Sequence, residues 1–346
     1  MRILHVSNFV QKHDGRLYWN FPFRVNNGLT RLGHNVLNFS DRDIARENVF
    51  RSSSLGISKM NHRLIKTVIN YKPHLIILGH ADMVSNETLS KIKKIQPKCK
   101  IILWNIDHLL MNNTIKKIKE RSPYISNTFI TTGDTCISKA AINGMKITFI
   151  PNIFDKSIDE MKIFENNSFE YDVFFAMSHG VGSGILKKGK TDGREKLLFK
   201  ITQNKNIKEN FYGFNNIEPI WASNLNVEMN KSLMGINLNS GKSMYLYSSD
   251  RISTYIGNGL LTFISESYGF HDLYKKNEVI FYKDDDDLMN KIIYYKKNID
   301  EAKSIAINGW KASHTKYNSK IICDFIINKT FDKSINSYYW PNISYV

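Results

Sequence analysis

Arg251 lies within the stretch that is best suited to chemistry, residues 248–266. The stretch opens with polar residues, continues as a short helical pattern that ends at Asn258-Gly259, and runs into an apolar strand. A cationic side chain at a helix start, beside a glycine turn, suits a ligand with phosphate and sugar groups. We expect such a ligand to be bound by Tyr247, Ser248, Arg251, Thr254, Asn258, Gly259 and Glu266. The alternatives are a structural salt bridge for Arg251 and an aromatic surface loop for the stretch with Tyr247 and Ser248.

A second basic stretch, residues 178–194, is rich in glycine and directly follows a predicted strand. Glycines let backbone N–H groups approach a phosphate closely, and lysine or arginine side chains add positive charge. The spacing matches neither the Walker motif nor the G-x-G-x-x-G fingerprint. A flexible surface loop with solvated lysines is the alternative interpretation. The phosphate-binding candidates are His179, Gly180, Gly182, Lys188 and Arg194.

Three residues are candidates for a general base that takes a proton from a substrate hydroxyl. Asp107 and His108 follow a predicted strand, and ligands of open α/β sheets bind at that end of the strands. Asp14 lies in the loop after the first strand. Each has a structural alternative: a helix cap for Asp107, a surface histidine for His108 and an Asp-Gly turn for Asp14. In the loops after these and neighbouring strands, we expect contacts to the same substrate from Asn8, Gly15, Arg16 and Asp134.

Acidic residues and cysteines do not predict a metal site. The four consecutive carboxylates from Asp284 to Asp287 cannot point at one centre, and they precede a helix whose start favours acids. Cys99, Cys136 and Cys323 are far apart, which predicts neither a disulfide framework nor a zinc site and favours a reducing compartment. We expect no metal and no cofactor.

The elements that position these residues are predicted by alternating apolar runs and helical patterns, which are typical of βα units with parallel sheets. A polar interval, residues 155–170, separates two such halves, and we expect it to be the linker or hinge between them. We expect one Rossmann-like domain over residues 1–165, a second over 166–330 and a tail over 331–346. The length of 346 residues also favours two domains over one.

The chain is strongly basic, with a formal net charge of +16. Such a charge favours anionic partners: nucleic acid, anionic lipid headgroups or acidic glycans. The alternative is compositional, because the lysines are dispersed and accompany frequent asparagines and isoleucines. The N-terminus lacks the apolar region of a signal peptide, and no run of about 18 apolar residues predicts a membrane span. We expect a cytoplasmic protein, with peripheral contact to an anionic membrane left open.

The order of elements from Tyr171 onward resembles the donor-binding half of GT-B glycosyltransferases, and most closely their CgeB-like, spore-maturation branch. The resemblance is fairly specific over residues 171–328 and is limited to strand order and a few loop residues before them. It implies two Rossmann-like domains that face a cleft, with a C-terminal helical tail crossing back to the first domain. In that family an arginine begins the helix at the position of Arg251, and another stands at the position of Arg194, close to the donor phosphates.

One position departs from the family pattern. Thr254 stands where related enzymes have a glutamate that binds the donor ribose, and a hydroxyl binds a sugar less strongly than a carboxylate does. Glu266, at the end of the next strand, is the candidate replacement. The resemblance also implies a metal-independent reaction in which amides and basic residues stabilise the leaving diphosphate.

The resemblance implies a glycosyltransferase that moves a sugar from a nucleotide-activated donor to a glycan or lipid-linked glycan in surface polysaccharide synthesis. Asp107, His108 or Asp14 would deprotonate the acceptor if the reaction inverts configuration, and a retaining reaction needs no such base. A base in DNA is an alternative acceptor that fits the positive charge. A non-catalytic carbohydrate- or nucleotide-binding protein is a further alternative, which Thr254 supports. For a nucleotide-sugar epimerase, the expected catalytic residues are not evident.

Overall fold

The computed structural model describes residues 1–47, 53–110, 113–135, 146–177, 193–334 and 338–345. These residues form two compact units. Unit 1 combines Met1–Ile153 with Asn318–Val346, and unit 2 consists of Phe154–Tyr317. Each unit contains one sheet with parallel strands and helices between them, which confirms the expected α/β class with two Rossmann-like halves.

Twelve strands and eleven α-helices occur in the described residues. The strands are β1 (Arg2–Ser7), β2 (Asn35–Ser40), β3 (Leu75–Gly79), β4 (Lys100–Asn105), β5 (Asn127–Ile130), β6 (Lys146–Phe149), β7 (Tyr171–Ala176), β8 (Glu209–Tyr212), β9 (Ser232–Asn237), β10 (Leu261–Ser265), β11 (Ile280–Tyr282) and β12 (Ser344–Tyr345). The helices are α1 (Phe21–Arg31), α2 (Asp41–Glu47), α3 (Ser53–Tyr71), α4 (Asn86–Ile95), α5 (Thr114–Arg121), α6 (Arg194–Thr202), α7 (Ala222–Met229), α8 (Arg251–Gly257), α9 (Asp285–Lys297), α10 (Ile299–Lys316) and α11 (Ser319–Thr330).

The strands form one sheet in each unit. The seven strands of unit 1 have the order β12-β6-β5-β4-β3-β1-β2, and the five of unit 2 have the order β11-β10-β9-β7-β8. Neighbours run parallel except β12, which pairs antiparallel with β6. Strands β3 and β9 are buried at every residue, as is typical where helices cover both faces of a parallel sheet. The carboxyl ends of the parallel strands therefore lie together, at what we call the carboxyl end of each sheet.

Local sequence explains where several helices begin and end. The side chain of Asn20 accepts from the backbone N–H of Phe21 at 2.9 Å and caps α1, and Pro22 occupies the first turn, where a missing N–H is tolerated. Gly33, with a φ of +77°, follows the end of α1. Asp284 caps α9 by accepting from the backbone N–H of Asp287 at 2.9 Å, so the acidic run begins with a structural contact.

The C-terminal helix α11 lies in unit 1, which confirms that the tail of the chain returns to the first half. It packs against α1 so closely that a Cβ atom on Gly28 would lie 2.2 Å from the backbone oxygen of Ser319. Beyond α11, Trp340 packs edge-on against Phe325 with ring centroids 5.2 Å apart. The chain then adds β12 to the sheet of unit 1.

The division between the units differs from the expected boundaries at residues 165 and 330. The polar interval 155–170 is not a solvated linker, because Phe164 belongs to the hydrophobic core of unit 2. The backbone N–H of Ile163 also donates to the backbone oxygen of Asn258 at 3.0 Å. At the other boundary the chain returns to unit 1 before α11 and not after it.

Candidate functional site

The carboxyl end of the unit 2 sheet holds Arg251, the first residue of α8. Its Nε donates to the backbone oxygen of Ala176, where β7 ends, at 3.1 Å, and its Nη1 donates to that of Leu238, just beyond β9, at 2.9 Å. Nη1 also donates to Oγ of Ser249 at 3.0 Å, and the guanidinium lies 4.7 Å from the ring centroid of Phe175. The ends of two neighbouring strands thus hold the guanidinium in place.

Arg251 is a half-buried cation, and no carboxylate of the described residues forms an ion pair with it. Burial lowers the pKa of Arg251, and the nearby positive charge of Arg194 also lowers it. Arginine nevertheless stays protonated in proteins. A partly buried charge without a counterion is costly, so this position would stabilise a bound anion.

Arg194 extends this positive region, and Tyr268 lies near both arginines. Arg194 begins α6 directly after Gly193, whose φ is +89°. Burial raises the pKa of the Tyr268 hydroxyl, whereas a hydrogen bond with Asn239 and the charges of Arg194 and Arg251 lower it. The structure therefore brings the two predicted phosphate-binding arginines within electrostatic range of the same tyrosine.

Two asparagines that were not predicted from the sequence hold the loop with Tyr247 and Ser248. Oγ of Ser248 donates to Oδ1 of Asn237 at 3.1 Å, and Nδ2 of Asn239 donates to the backbone oxygen of Tyr247 at 3.2 Å. Both predicted residues are buried in this loop. Nδ2 of Asn237 is buried and makes no hydrogen bond within the described chain, so it is a spare donor at this end of the sheet. In the sequence, only their positions marked these residues: Asn237 ends an apolar strand, and Asn239 follows it.

Three residues predicted to bind the donor are not positioned to contact a ligand beside the Arg251 guanidinium. The hydroxyl of Thr254 is buried and donates to the backbone oxygen of Asp250 at 3.3 Å. Asn258 and Gly259 lie beyond the other end of α8, a seven-residue helix that is about 10 Å long.

Asn258 and Gly259 instead contact the segment that precedes β7. Oδ1 of Asn258 accepts from the backbone N–H of Met161 at 3.1 Å. A Cβ on Gly259, whose φ is +83°, would lie 2.6 Å from the ring of Phe164. We correct the prediction for both residues, because their contacts stabilise unit 2 and are remote from the strand ends.

Glu266 directly follows β10 and is exposed. On the two sides of β10, Ile264 lies opposite Asn237 of β9, and Ser265 lies opposite Tyr282 of β11. Glu266 is therefore at the carboxyl end of the unit 2 sheet. Its carboxylate makes no hydrogen bond or ion pair among the described residues and is available to accept from ligand hydroxyls.

In unit 1, the carboxyl end of the sheet brings Asp107 together with a histidine that was not predicted. His80 directly follows β3, and its Nδ1 lies 3.5 Å from Oδ2 of Asp107, which follows β4. The two strands are neighbours, with Gly79 opposite Trp104. The signal in the sequence was the position of His80 immediately after an apolar strand.

The surroundings of His80 favour a neutral ring. Burial lowers the pKa of His80, and the carboxylates of Asp107 and Asp82 oppose that shift. In a neutral ring with a proton on Nδ1, Nε2 is an acceptor, and it makes no hydrogen bond among the described residues. His80 and Ala81 both have left-handed backbones, with φ of +56° and +34°, and Nη2 of Arg121 holds this turn by donating to the backbone oxygen of Ala81 at 2.8 Å.

A buried polar network supports His80 from within unit 1. The imidazole packs edge-on against Trp104, with ring centroids 5.2 Å apart. Nε1 of Trp104 donates to Nε2 of His5 at 3.0 Å, and Nδ1 of His5 lies 2.6 Å from Oδ1 of Asn26. Burial lowers the pKa of His5 to about 4, so this ring stays neutral. A Cβ on Gly79 would lie 2.0 Å from Cζ2 of Trp104, so the indole needs glycine at that position.

A cavity of about 350 Å³ lies beside these residues, within unit 1. His80 and Asp107 line it, together with further carboxylates, amides and cationic side chains. Such a lining can both donate and accept hydrogen bonds, which a ligand with several hydroxyl groups requires.

The other candidates of unit 1 are placed differently. His108 is buried, and its Nδ1 accepts from the backbone N–H of Leu110 at 3.3 Å, so that nitrogen is used by the backbone. Asp14 is exposed with a φ of +52°, which agrees with the turn alternative. The predicted acceptor contacts follow β1 or β5 at the carboxyl end of the sheet: Asn8, Gly15, Arg16 and Asp134. Four predicted phosphate contacts lie outside the described residues: His179, Gly180, Gly182 and Lys188.

The described ranges contain neither a cluster of metal ligands nor a membrane-spanning helix. These ranges contain no group of three or more His, Cys, Asp or Glu side chains that could hold a metal ion. In the same part of the chain, no helix is long and apolar enough to cross a bilayer. The expected absence of a metal and a cofactor and the expected cytoplasmic location stay predictions.

The fold defines a class of protein. Two Rossmann-like units, each with a sheet of parallel strands, make up the GT-B fold of glycosyltransferases. Residues 194–328 match a family model described as glycosyl transferase-like. The family match and the fold support a glycosyltransferase enzyme. No curated protein matches the chain.

Solved structures are similar to the chain over most of its length. HepE from Anabaena, in complex with UDP and glucose, has a TM-score of 0.58 at 13% identity, covering 96% of this chain and 100% of its own. Sucrose-phosphate synthase from Thermosynechococcus elongatus has a TM-score of 0.60 at 10% identity, with coverage of 96% and 100%. T4 phage β-glucosyltransferase has a TM-score of 0.52 at 12% identity, also with 96% and 100% covered. At these identities the likeness shows the fold alone.

Proposed function

We propose that this protein binds a nucleotide-activated sugar at the carboxyl end of the unit 2 sheet and transfers the sugar to a glycan or lipid-linked glycan. The observation that carries the proposal is the Arg251 guanidinium, which is half-buried, fixed by Ala176 and Leu238, and not paired with a carboxylate among the described residues. It lies within the segment that matches the glycosyl transferase-like family. A diphosphate would supply the missing negative charge.

In this proposal, different residues around Arg251 contact different parts of the donor. Arg251 and Arg194 neutralise the diphosphate, and the same charges stabilise it as it leaves. The spare Nδ2 donor of Asn237 adds a neutral contact. Glu266 accepts from the ribose hydroxyls, in place of the glutamate that Thr254 replaces. The glycine-rich loop with His179, Gly180, Gly182 and Lys188 remains a proposed phosphate contact, and the reaction proceeds without a bound metal.

Uridine diphosphate is the nucleotide that we place first. The similar structures of HepE contain UDP and, in another crystal, UDP-glucose. A similar β-glucosyltransferase has uridine diphosphoglucose as its substrate. These are properties of those proteins, and they support the choice of probe for this one.

The acceptor that we propose belongs to surface polysaccharide synthesis at the cytoplasmic face of a membrane. A net charge of +16 would favour association of the protein with anionic lipids. Membership of the CgeB-like branch is part of this proposal, and Arg251 and the order of elements after Tyr171 support it.

A base in DNA is the second candidate acceptor. The charge favours it, and a DNA-modifying β-glucosyltransferase is among the similar structures. Binding to DNA through phosphate contacts weakens steeply as salt rises, whereas binding of a neutral glycan does not. Gel retardation of duplex DNA at two salt concentrations therefore separates the two acceptors.

A thermal-shift screen with UDP, GDP, CMP, dTDP and ADP tests the donor site. A ligand that binds only the folded state raises the melting temperature. We expect one nucleotide to stabilise the wild type and to lose its effect in Arg251→Ala. No shift with any nucleotide contradicts the proposal. Binding of UDP without any release of UDP from UDP-glucose, with or without glycan acceptors, supports the non-catalytic alternative.

A further inference from the structure

The cavity of unit 1 has the size and lining of a site for a small polyhydroxyl molecule. Its volume of about 350 Å³ is near the lower limit of small-molecule sites, which begin at roughly 300 Å³. Its lining combines carboxylates, carboxamides and cations with an apolar part formed by Val84, Leu103 and Ile118. The polar groups that the ligand would meet include Asp82, Asn86, Asn105, Lys117, Glu120 and Arg121.

The charges of this lining are nearly balanced. Three carboxylates, those of Asp82, Asp107 and Glu120, face the two cations Lys117 and Arg121. Arg42 compensates further, because its Nη2 lies 2.6 Å from Oδ2 of Asp82. A phosphate would therefore meet several carboxylates, which disfavours an anionic ligand.

The lining also disfavours a nucleobase. Bases are bound by stacking on aromatic side chains, and none of the described residues that line the cavity is Phe, Tyr or Trp. Hydroxyl groups, in contrast, donate and accept and match a mixed lining. The chemistry thus points to a neutral sugar.

The cavity keeps donors and acceptors that internal contacts leave unused. Nη1 of Arg121 is buried and makes no hydrogen bond in the described chain, while Nη2 is used by the backbone oxygens of Ala81 and Val84 at 2.8 and 3.2 Å. Nε2 of His80 likewise has no hydrogen bond among the described residues. A buried donor such as Nη1 of Arg121 is usually satisfied, so a ligand that supplies hydroxyls would be stabilised here.

We propose that this cavity binds a neutral sugar unit of the acceptor and that Nε2 of His80 takes the proton of its attacking hydroxyl. The assignment rests on the glycosyl transfer proposed above. The hydroxyl O–H bond breaks as the oxygen bonds to the anomeric carbon of the donor. The bond from that carbon to the diphosphate breaks, and the nucleoside diphosphate leaves with the electron pair. The proton passes to Nε2, and Asp107 stabilises the resulting imidazolium from the side of Nδ1.

The first test follows the release of UDP from UDP-glucose by the full chain, with and without methyl glycosides of glucose, galactose, mannose and N-acetylglucosamine. We expect at least one glycoside to accelerate release in the wild type. His80→Gln should lower this glycoside-dependent rate by about 100-fold or more. The matched control is His62→Gln, which changes an exposed histidine of α3 and should leave the rate unchanged. Asp107→Asn should shift the acidic limb of the pH profile to lower pH, because the carboxylate raises the pKa of His80.

The second test observes the imidazole of His80 directly. We expect one or more of the same methyl glycosides to shift the His80 ring resonances, which His80→Gln identifies by their loss. UDP that binds normally, together with unshifted His80 resonances or an unimpaired His80→Gln variant, overturns the assignment. A chain that binds no nucleotide refutes the donor proposal, and the resonance shifts still decide whether the cavity binds sugar.

Discussion

The indole nitrogen of Trp104 lies 3.0 Å from Nε2 of His5, and this contact connects the core of unit 1 to the cavity beside His80. An indole N–H only donates, so His5 must present an unprotonated Nε2. Its other nitrogen, Nδ1, then donates to Asn26. Since Trp104 in turn packs against His80, the neutral state of His5 is a condition for the geometry of the candidate site.

Acid should destabilise the protein through His5. Its pKa falls from 6.5 to about 4 on folding, so the unfolded chain binds more protons between these values and stability rises with pH across that window. The effect is about 3 kcal/mol between the two limits. Urea unfolding at several pH values should show that wild type loses this much more stability on acidification than His5→Gln. Identical pH dependence of the two proteins contradicts the account.

Adding a methyl group at position 79 should displace Trp104. The new Cβ of Gly79→Ala would lie 2.0 Å from Cζ2 of the indole, and overpacking of a core costs about 1–3 kcal/mol. Gly33→Ala is the control, because nothing lies within 4 Å of its Cβ and only the left-handed backbone, with a φ of +77°, is strained. We expect Gly79→Ala to lower the melting temperature more than Gly33→Ala does. Gly79→Ala should also shift the His80 resonances, which Gly33→Ala should leave unchanged. Equal behaviour of the two variants would show that Trp104 is not confined as described.

Glu266 should determine whether the donor site distinguishes ribose from deoxyribose. A carboxylate that accepts from a hydroxyl contributes about 1.5 kcal/mol or more, which is roughly tenfold in affinity. We expect Glu266→Gln to weaken UDP binding and to remove the preference for UDP over 2′-deoxyUDP in calorimetry. Glu160→Gln, an exposed residue that precedes β7, is the matched control. Undiminished discrimination in Glu266→Gln would place the ribose elsewhere.

The sequence predicted the architecture because apolar periodicity is a local property. Alternating strands and helices, and the helix and strand around Gly259, follow from short stretches of the chain. The polar interval 155–170 was misjudged, since the burial of Phe164 depends on the rest of unit 2. Its composition is polar, but its few apolar side chains complete a core.

The site was less predictable, because its residues meet only through pairing of distant strands. His80 becomes a candidate only because β3 and β4 are adjacent strands, which places it beside Asp107. Asn258 and Gly259 match a family pattern in sequence, yet the pattern does not say which end of α8 approaches a ligand. Arg251 was predictable, since a cationic side chain at a helix start beside a glycine turn is a local pattern that suits an anionic ligand.

Calorimetric titration with UDP tests the central claim most directly, with wild type, Arg251→Gln and the exposed control Arg46→Gln measured side by side. A charge-assisted contact contributes about 1.5–3 kcal/mol, so removing the guanidinium should weaken UDP binding by roughly tenfold to a hundredfold or more. Binding of uridine, which has no phosphate, should change little. We predict this loss for Arg251→Gln alone. A folded Arg251→Gln protein that binds UDP as tightly as the wild type, or a wild type that binds no nucleotide, contradicts the claim that Arg251 holds the donor diphosphate.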